Sequence, residues 1–169
     1  MKELFSQAQI ASRVQELADQ INQTYGKDEP LVAIGILKGS FIFMADLVRA
    51  MDRDVTLDFM ALSSYGDATE TTGVVRLLKD LDVDIKDKDV IIVEDIVDTG
   101  LTLEYLRHYL EQRNPKSVRV ATLLDKVSRR QVEMEIDYVG FEIEDGFVVG
   151  YGIDYAQKYR NLPWIGIIE

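Results

Sequence analysis

An open, mostly parallel α/β sheet flanked by helices is the fold class this sequence predicts, with a small hood lobe added. Three observations predict it. Short continuous apolar runs occur at Leu31–Leu37 (LVAIGIL) and Val90–Val93, the pattern of strands covered on both faces, and Val118–Leu124 reads as another strand. Amphipathic helical stretches separate them, so strand and helix alternate. Near the end, strands cluster without a helix between them, which suggests a small add-on lobe.

Taken in order, Ile10, Val14, Leu17 and Ile21 are spaced four, three and four residues apart, one face of a helix. Ser6 is positioned to cap it, and Tyr25-Gly-Lys-Asp-Glu-Pro30 ends it. The strand Leu31–Leu37 runs into a tight turn, Lys38-Gly39-Ser40. Helical spacing resumes over Phe41–Met51 through Met44, Leu47 and Val48. Val55, Leu57 and Phe59 alternate with Thr56 and Asp58 and predict a strand. Residues 63–73 (SSYGDATETTG) are small and polar and read as a mobile loop. Val74–Leu78 reads as strand, and charged Lys79–Asp89 as a solvated connection. After Val90–Val93 comes a helix over Leu101–Arg113 with Leu103, Leu106 and Leu110 inward, stopped by Asn114-Pro115. Val118–Leu124, Tyr138–Phe141, Phe147–Val149 and Trp164–Ile168 complete the strands.

Composition narrows the chemistry. The 169 residues suit one domain, 1–169, with 47% apolar and 29% charged residues. Cysteine is absent, which removes disulfides, thiolate nucleophiles and thiolate metal sites together. His108 is the single histidine, so a histidine-rich metal centre is excluded, and its place on a helix gives no support to a Ser-His-Asp triad. A net charge of −11 lacks the basic footprint of a nucleic-acid binder. Abundant carboxylates point instead to a hard cation such as Mg2+. No apolar run is long enough to span a membrane. The start, MKELFSQAQI, has no apolar signal core, so a cytoplasmic location is expected.

The segment Val90–Leu103, VIIVEDIVDTGLTL, carries the chemistry. An apolar strand ends in Glu94-Asp95, then Asp98-Thr99-Gly100-Leu101-Thr102 opens a helix. Ligands of open α/β sheets sit beyond the carboxyl ends of strands. A helix N-terminus offers free amides and the positive end of a dipole. Gly100 permits close approach, and the two threonines add hydroxyls. The result is a phosphate cradle with an acidic pair suited to a sugar diol or a hydrated Mg2+. Read alone, other residues are less pointed. Lys126 reads as a solvated strand-end lysine, Phe147 as core, Arg160 as a surface ion-pair partner and Asp154 as a turn cap. Other phosphate and nucleophile motifs are missing from the sequence.

VIIVEDIVDTGLTL resembles the phosphoribosyl-pyrophosphate (PRPP) signature of type I phosphoribosyltransferases. LKGSFIFMADL, SSYG, LLDKVSRR and VGFEIEDGFVVGYGIDYAQKYRNLP, in that order from about Leu31 to Pro163, resemble the hypoxanthine-guanine phosphoribosyltransferases, particularly bacterial ones. The resemblance implies Mg-dependent transfer of the phosphoribosyl group of PRPP to hypoxanthine or guanine, giving IMP or GMP and pyrophosphate. It implies that Glu94 and Asp95 hold the ribose hydroxyls, in part through Mg2+, and that Asp98 is the general base at purine N7. Thr99, Gly100, Leu101 and Thr102 would wrap the 5′-phosphate. Lys38 and Gly39 would meet pyrophosphate, with the Leu37–Lys38 peptide strained or cis, and Arg160 would contact it too. Lys126 would donate to the 6-oxo group, Phe147 would stack on the purine, and Val148 would read its edge through the backbone. Asp154 would bind a second Mg2+, while Ser64 and Tyr65 would close over the site. Leu101 departs from relatives that carry a polar residue there. The resemblance also implies a core with a small hood built from the N- and C-terminal segments, and a homodimer or homotetramer. A PRPP-sensing RNA-binding module is disfavoured by the acidic charge. Adenine is disfavoured by a lysine donor at position 6, and xanthine stays open.

Overall fold

The computed structural model describes residues 1–64 and 75–169. Its elements run β1 (Lys2–Phe5), α1 (Gln7–Thr24), β2 (Leu31–Leu37), α2 (Phe41–Ala50), β3 (Thr56–Ser64), β4 (Val75–Lys79), β5 (Asp89–Val97), α3 (Leu101–Glu111) and β6 (Ser117–Asp125). A single 3-10 turn (Val127–Arg129) follows, then β7 (Tyr138–Glu142), β8 (Phe147–Val149) and β9 (Ile165–Ile168).

Strands β4-β3-β2-β5-β6-β7 form the main sheet. Every neighbouring pair in it is parallel except β3–β4. Alternation along β2 and β5 sorts their side chains onto two faces. Ala33, Ile91 and Val93 face a core completed by Leu17 and Ile21 of α1 and by Phe43 and Leu47 of α2. Val32, Ile34, Val90 and Ile92 face the other, completed by Leu103, Leu106 and Leu110 of α3. With helices on both sides, the central strands have no polar face to keep, which is why they are continuous apolar runs. Ser6 caps α1 as predicted, in a reciprocal capping box: its hydroxyl accepts from Gln9 N at 3.1 Å, and Gln9 Oε1 accepts from Ser6 N at 2.8 Å.

The structure changes four details of the reading. The 79–89 connection is not simply solvated. Ile85 is fully buried in the α3-side core, and Asp80 accepts hydrogen bonds from Tyr109 and Arg113, tying the connection to α3. Strand β3 runs on to Ser64, so the first two residues of the predicted 63–73 loop are strand; the rest of that loop, Tyr65 included, lies outside the described residues. Strand β7 belongs to the main sheet, parallel to β6, and not to the late cluster. Finally, an unpredicted strand, β1, joins β9 and β8 in a second, antiparallel sheet of order β1-β9-β8.

Candidate active site

The carboxyl ends of β2 and β5 lie side by side, because the two strands pair in parallel register from Leu31–Asp89 to Gly35–Val93. Glu94 and Asp95 follow on β5, and the Lys38-Gly39 turn follows β2. The fit between them is tight: a Cβ on Gly39 would overlap the Asp95 carboxylate. The Leu37–Lys38 peptide is cis, and Lys38 is exposed. Opposite Gly39 stands Gly152, whose φ is +99° and where a Cβ would come within 2.5 Å of the Gly39 carbonyl oxygen. The Arg160 guanidinium donates to the Gly152 carbonyl at 2.8 Å and pairs with Asp154 at 3.3 Å. Arg160 is thus more than a loose surface partner. Asp154 also accepts the Gln157 amide at 2.8 Å, so it does cap a turn.

Burial governs the acidic pair. Glu94 is held well above the usual carboxylate range, first by desolvation and then by the neighbouring Asp95. Desolvation also pushes Asp95 up to about 6, against the backbone amides it accepts and the attraction of Arg160. Two buried acids without a cation between them repel and retain protons. Their oxygen chemistry fits a hard divalent ion. Among the described residues, no three or more acidic or histidine side chains gather into a metal cage. An ion here would draw its remaining ligands from water and a phosphorylated substrate, which is the habit of Mg2+.

The start of α3 forms the second part. Gly100 occupies its N-cap with φ +87°, the left-handed region that glycine adopts without steric cost. Gly100 has no side chain to cap the helix, but the Thr99 hydroxyl accepts the Leu101 amide in a long hydrogen bond of 3.4 Å. The other amides of the first turn lack an intrahelical partner, as at any helix start, and stand beside Thr99 and Thr102, with Leu101 on the first turn. A cavity of about 230 Å³ opens there, lined by Glu94, Asp98, Thr99, Gly100 and Thr102.

The third part is a wider cleft of about 550 Å³, lined by Asp98, Lys126, Phe147, Val148 and Asp154 with Ile96 and Ile153. Lys126 is not a solvated lysine: it is 9% exposed, and its ammonium lies 3.9 Å from Asp145. Phe147 is not core: it is 58% exposed and packs against Tyr155 in a T-shaped pair, with ring centroids 5.3 Å apart. Such an exposed ring on a cleft wall is a stacking surface. Val148 is buried beside it. Arg129 and Asp145, which sequence reasoning left without a role, also line this cleft. Their signal was faint, a basic pair within LLDKVSRR and an acid before Gly146. Three chain segments thus converge on Asp98, while Ser64 ends β3 and Tyr65 lies outside the described residues.

A family model for the phosphoribosyl transferase domain matches residues 1–156. The chain belongs to the phosphoribosyltransferase family. Transfer of a phosphoribosyl group from PRPP is the general reaction of that family. Among curated relatives, the hypoxanthine-guanine phosphoribosyltransferase of Bacillus subtilis is 48% identical over 168 residues, covering 99% of this chain and 93% of the relative. The hypoxanthine phosphoribosyltransferase of Escherichia coli is 52% identical over 166 residues, covering 96% and 92%. A crystal structure of a hypoxanthine-guanine phosphoribosyltransferase from Bacillus anthracis, with HEPES in its active site, superposes with a TM-score of 0.96 at 52% identity, covering 100% of this chain and 99% of that one. The phosphoribosyltransferase fold therefore extends over the whole chain, and none of its described helices is long and apolar enough to cross a membrane.

Proposed function

We propose that this phosphoribosyltransferase salvages purines, moving the 5-phosphoribosyl group of PRPP to N9 of hypoxanthine or guanine and releasing IMP or GMP with pyrophosphate. One observation carries the reading: Asp98 borders both cavities, the one at the α3 N-terminus and the one walled by Lys126 and Phe147. A carboxylate at that junction sits where a sugar and a base would be joined.

In this reading the α3 cavity takes the 5′-phosphate on Thr99, Gly100, Leu101 and Thr102, whose amides and hydroxyls replace its hydration. Leu101 adds no charge, so the cradle works through the backbone. Glu94 and Asp95 hold the ribose hydroxyls. Lys38, Gly39 and Arg160 hold pyrophosphate. The purine lies on Phe147, presents its 6-oxo oxygen to Lys126 and its edge to the Val148 backbone. The N9–C1′ bond forms as the bond from C1′ to pyrophosphate oxygen breaks, and Asp98 takes the N7 proton. Base catalysis of this kind is typically worth ~10²–10⁴-fold. Glu94 and Asp95 would hold one Mg2+ and Asp154 a second, and these would supply neutralisation of the leaving pyrophosphate. An acidic chain of net charge −11 needs that help to hold a polyanion. Ser64 and Tyr65 would close over the site and exclude water from an oxocarbenium-like transition state. The reaction is cytoplasmic in this reading, and the enzyme a homodimer or homotetramer.

The test is a spectrophotometric assay with PRPP, Mg2+ and hypoxanthine, guanine, xanthine or adenine in turn. Turnover with the first two is expected. Absence of turnover with every base, in folded protein that binds PRPP, defeats the reading. Asp98→Asn is expected to lower kcat by about 10²-fold or more while PRPP affinity changes little; unchanged turnover would remove Asp98 from the base role.

A further inference from the structure

The base cleft is edged by four groups of alternating charge. Asp98 accepts from Arg129 Nε at 3.0 Å, Arg129 Nη1 lies 3.7 Å from Asp145, and Lys126 Nζ lies 3.9 Å from that same Asp145. Lys126 and Asp98 have places in the reaction set out above, and Arg129 and Asp145 have none. The Arg129 and Asp98 side chains are about half exposed and Asp145 more so, and an isolated surface pair of this kind would be weak and would drift. Here the backbone prevents drift. The segment that carries Arg129 is pinned to the Asp98 loop on both sides: Lys126 N donates to the Val97 carbonyl at 2.9 Å and Gln131 N to the Thr99 carbonyl at 2.8 Å. Arg130 adds a third tie, donating to the Asp98 carbonyl at 2.9 Å while pairing with Asp125. Arg130 is thus committed elsewhere, and Arg129 is the cation turned to the Asp98 carboxylate. Among the described residues, the other charged groups around that carboxylate are Lys126, Asp145 and Asp154 in the same cleft, and Glu94 in the adjoining cavity.

We propose that Arg129 is a positioning residue that fixes the orientation of the Asp98 carboxylate, and that Asp145 tunes this hold by competing for the same guanidinium. The proposal rests on the reading of Asp98 as base. A nearby cation favours the ionised form of a carboxylate, and a base must be ionised to accept the N7 proton. Arg129→Gln therefore moves the acid limb of kcat/KM for purine to higher pH, and Asp145→Asn, by freeing Arg129 for Asp98, moves it to lower pH. Opposite movements from two neighbouring substitutions are not what a loss of packing produces.

The experiment follows purine kcat/KM against pH in the parent, Arg129→Gln, Arg129→Lys and Asp145→Asn, all saturated with PRPP. In parallel, the proton on Arg129 Nε is observed by NMR in the parent, Asp98→Asn and Asp145→Asn. On the acid limb Arg129→Gln is expected to lose about 3- to 10-fold, the worth of half to one pH unit, with little loss on the plateau. Arg129→Lys should recover part of it, PRPP affinity should stay within about 2-fold of the parent, and the Nε proton should respond to both carboxylate substitutions. An acid limb that stays put in Arg129→Gln while the parent turns over overturns the proposal, as does an Nε proton indifferent to Asp98→Asn. A parent without turnover sinks the purine-transfer reading instead, and the Nε proton still decides the pairing by itself.

Discussion

Glu94 is a residue whose folded environment disfavours the charge its chemistry needs. Both it and Asp95 have their carboxyl groups raised by burial, Asp95 to about 6 and Glu94 well above the usual range. In the unfolded chain such groups ionise near pH 4. Below that pH both states bind the protons and the fold bears no penalty. As pH climbs from about 4 through the folded values, the unfolded chain releases protons that the fold retains, and stability falls. Glu94→Gln removes one of the two charges and keeps the shape. It is expected to raise stability at pH 8 by about 1–3 kcal/mol, or about 2–12 °C in Tm, and to do little at pH 4.5. Activity should fall in the same variant if Glu94 has the proposed ribose and metal roles, since their carboxylate is lost, a trade-off common to strained sites. Thermal unfolding without Mg2+ at the two pH values checks this. An equal gain at both would show that ionisation is not the source.

At the scale of the element, α3 depends on how it begins. Gly100 at φ +87° opens the helix, and a Cβ there would stand 3.0 Å from Arg130 Cδ and Val132 Cγ2. Gly100→Ala is expected to cost about 1–3 kcal/mol, from the left-handed backbone and the crowded neighbours, and to weaken PRPP binding by more than about 10-fold. Denaturant midpoints and titration calorimetry check the two effects separately; unimpaired PRPP binding would dissociate the turn from the phosphate. This strand-turn-helix unit was legible because its information is local: an apolar strand, an acidic pair and a glycine stand in one stretch of 14 residues, Val90–Leu103. Elements that depend on distant partners were not. Three of the four residues of β1 are exposed, so KELF carries no burial pattern, and the strand exists because β9 offers it an edge. Ile85 alternates with Leu81 and Val83 among charges, a pattern too short to assign, and only the fold shows that Ile85 closes a core with Leu81 and Val83 packed against it. Arg129 and Asp145 read as ordinary surface charge until the turn after β6 and the approach to β8 meet at Asp98.

Across the whole molecule, the two sheets divide the site between them. The groups assigned to the phosphate follow β5 of the main sheet, whereas Phe147 and Val148, assigned to the purine, stand on β8 of the smaller one. Strand β8 has a single partner, β9, with Phe147 opposite Ile168 and Val148 opposite Ile167. On its other side β9 pairs with β1, Lys2 opposite Ile167 and Phe5 opposite Ile165. The Phe5 ring stacks on Phe141 of β7 with centroids 4.0 Å apart, linking the small sheet to the main one. Residues 2–5 are thus joined to the proposed purine wall through one intervening strand. Removing residues 1–5 while keeping Ser6, and with it the α1 capping box, strips β9 of an edge and loses the aromatic pair. The expected cost is about 2–4 kcal/mol, from Phe5 burial and stacking. Binding should suffer unequally. Affinity for the purine should fall several-fold as β8 loosens, and affinity for PRPP should stay near that of the parent, because β5 and α3 keep their own partners. Calorimetric titrations of PRPP alone, and of purine onto the protein saturated with PRPP and Mg2+, measure the two separately. If both weaken alike, or neither moves, the small sheet does not act as an independent support for the base.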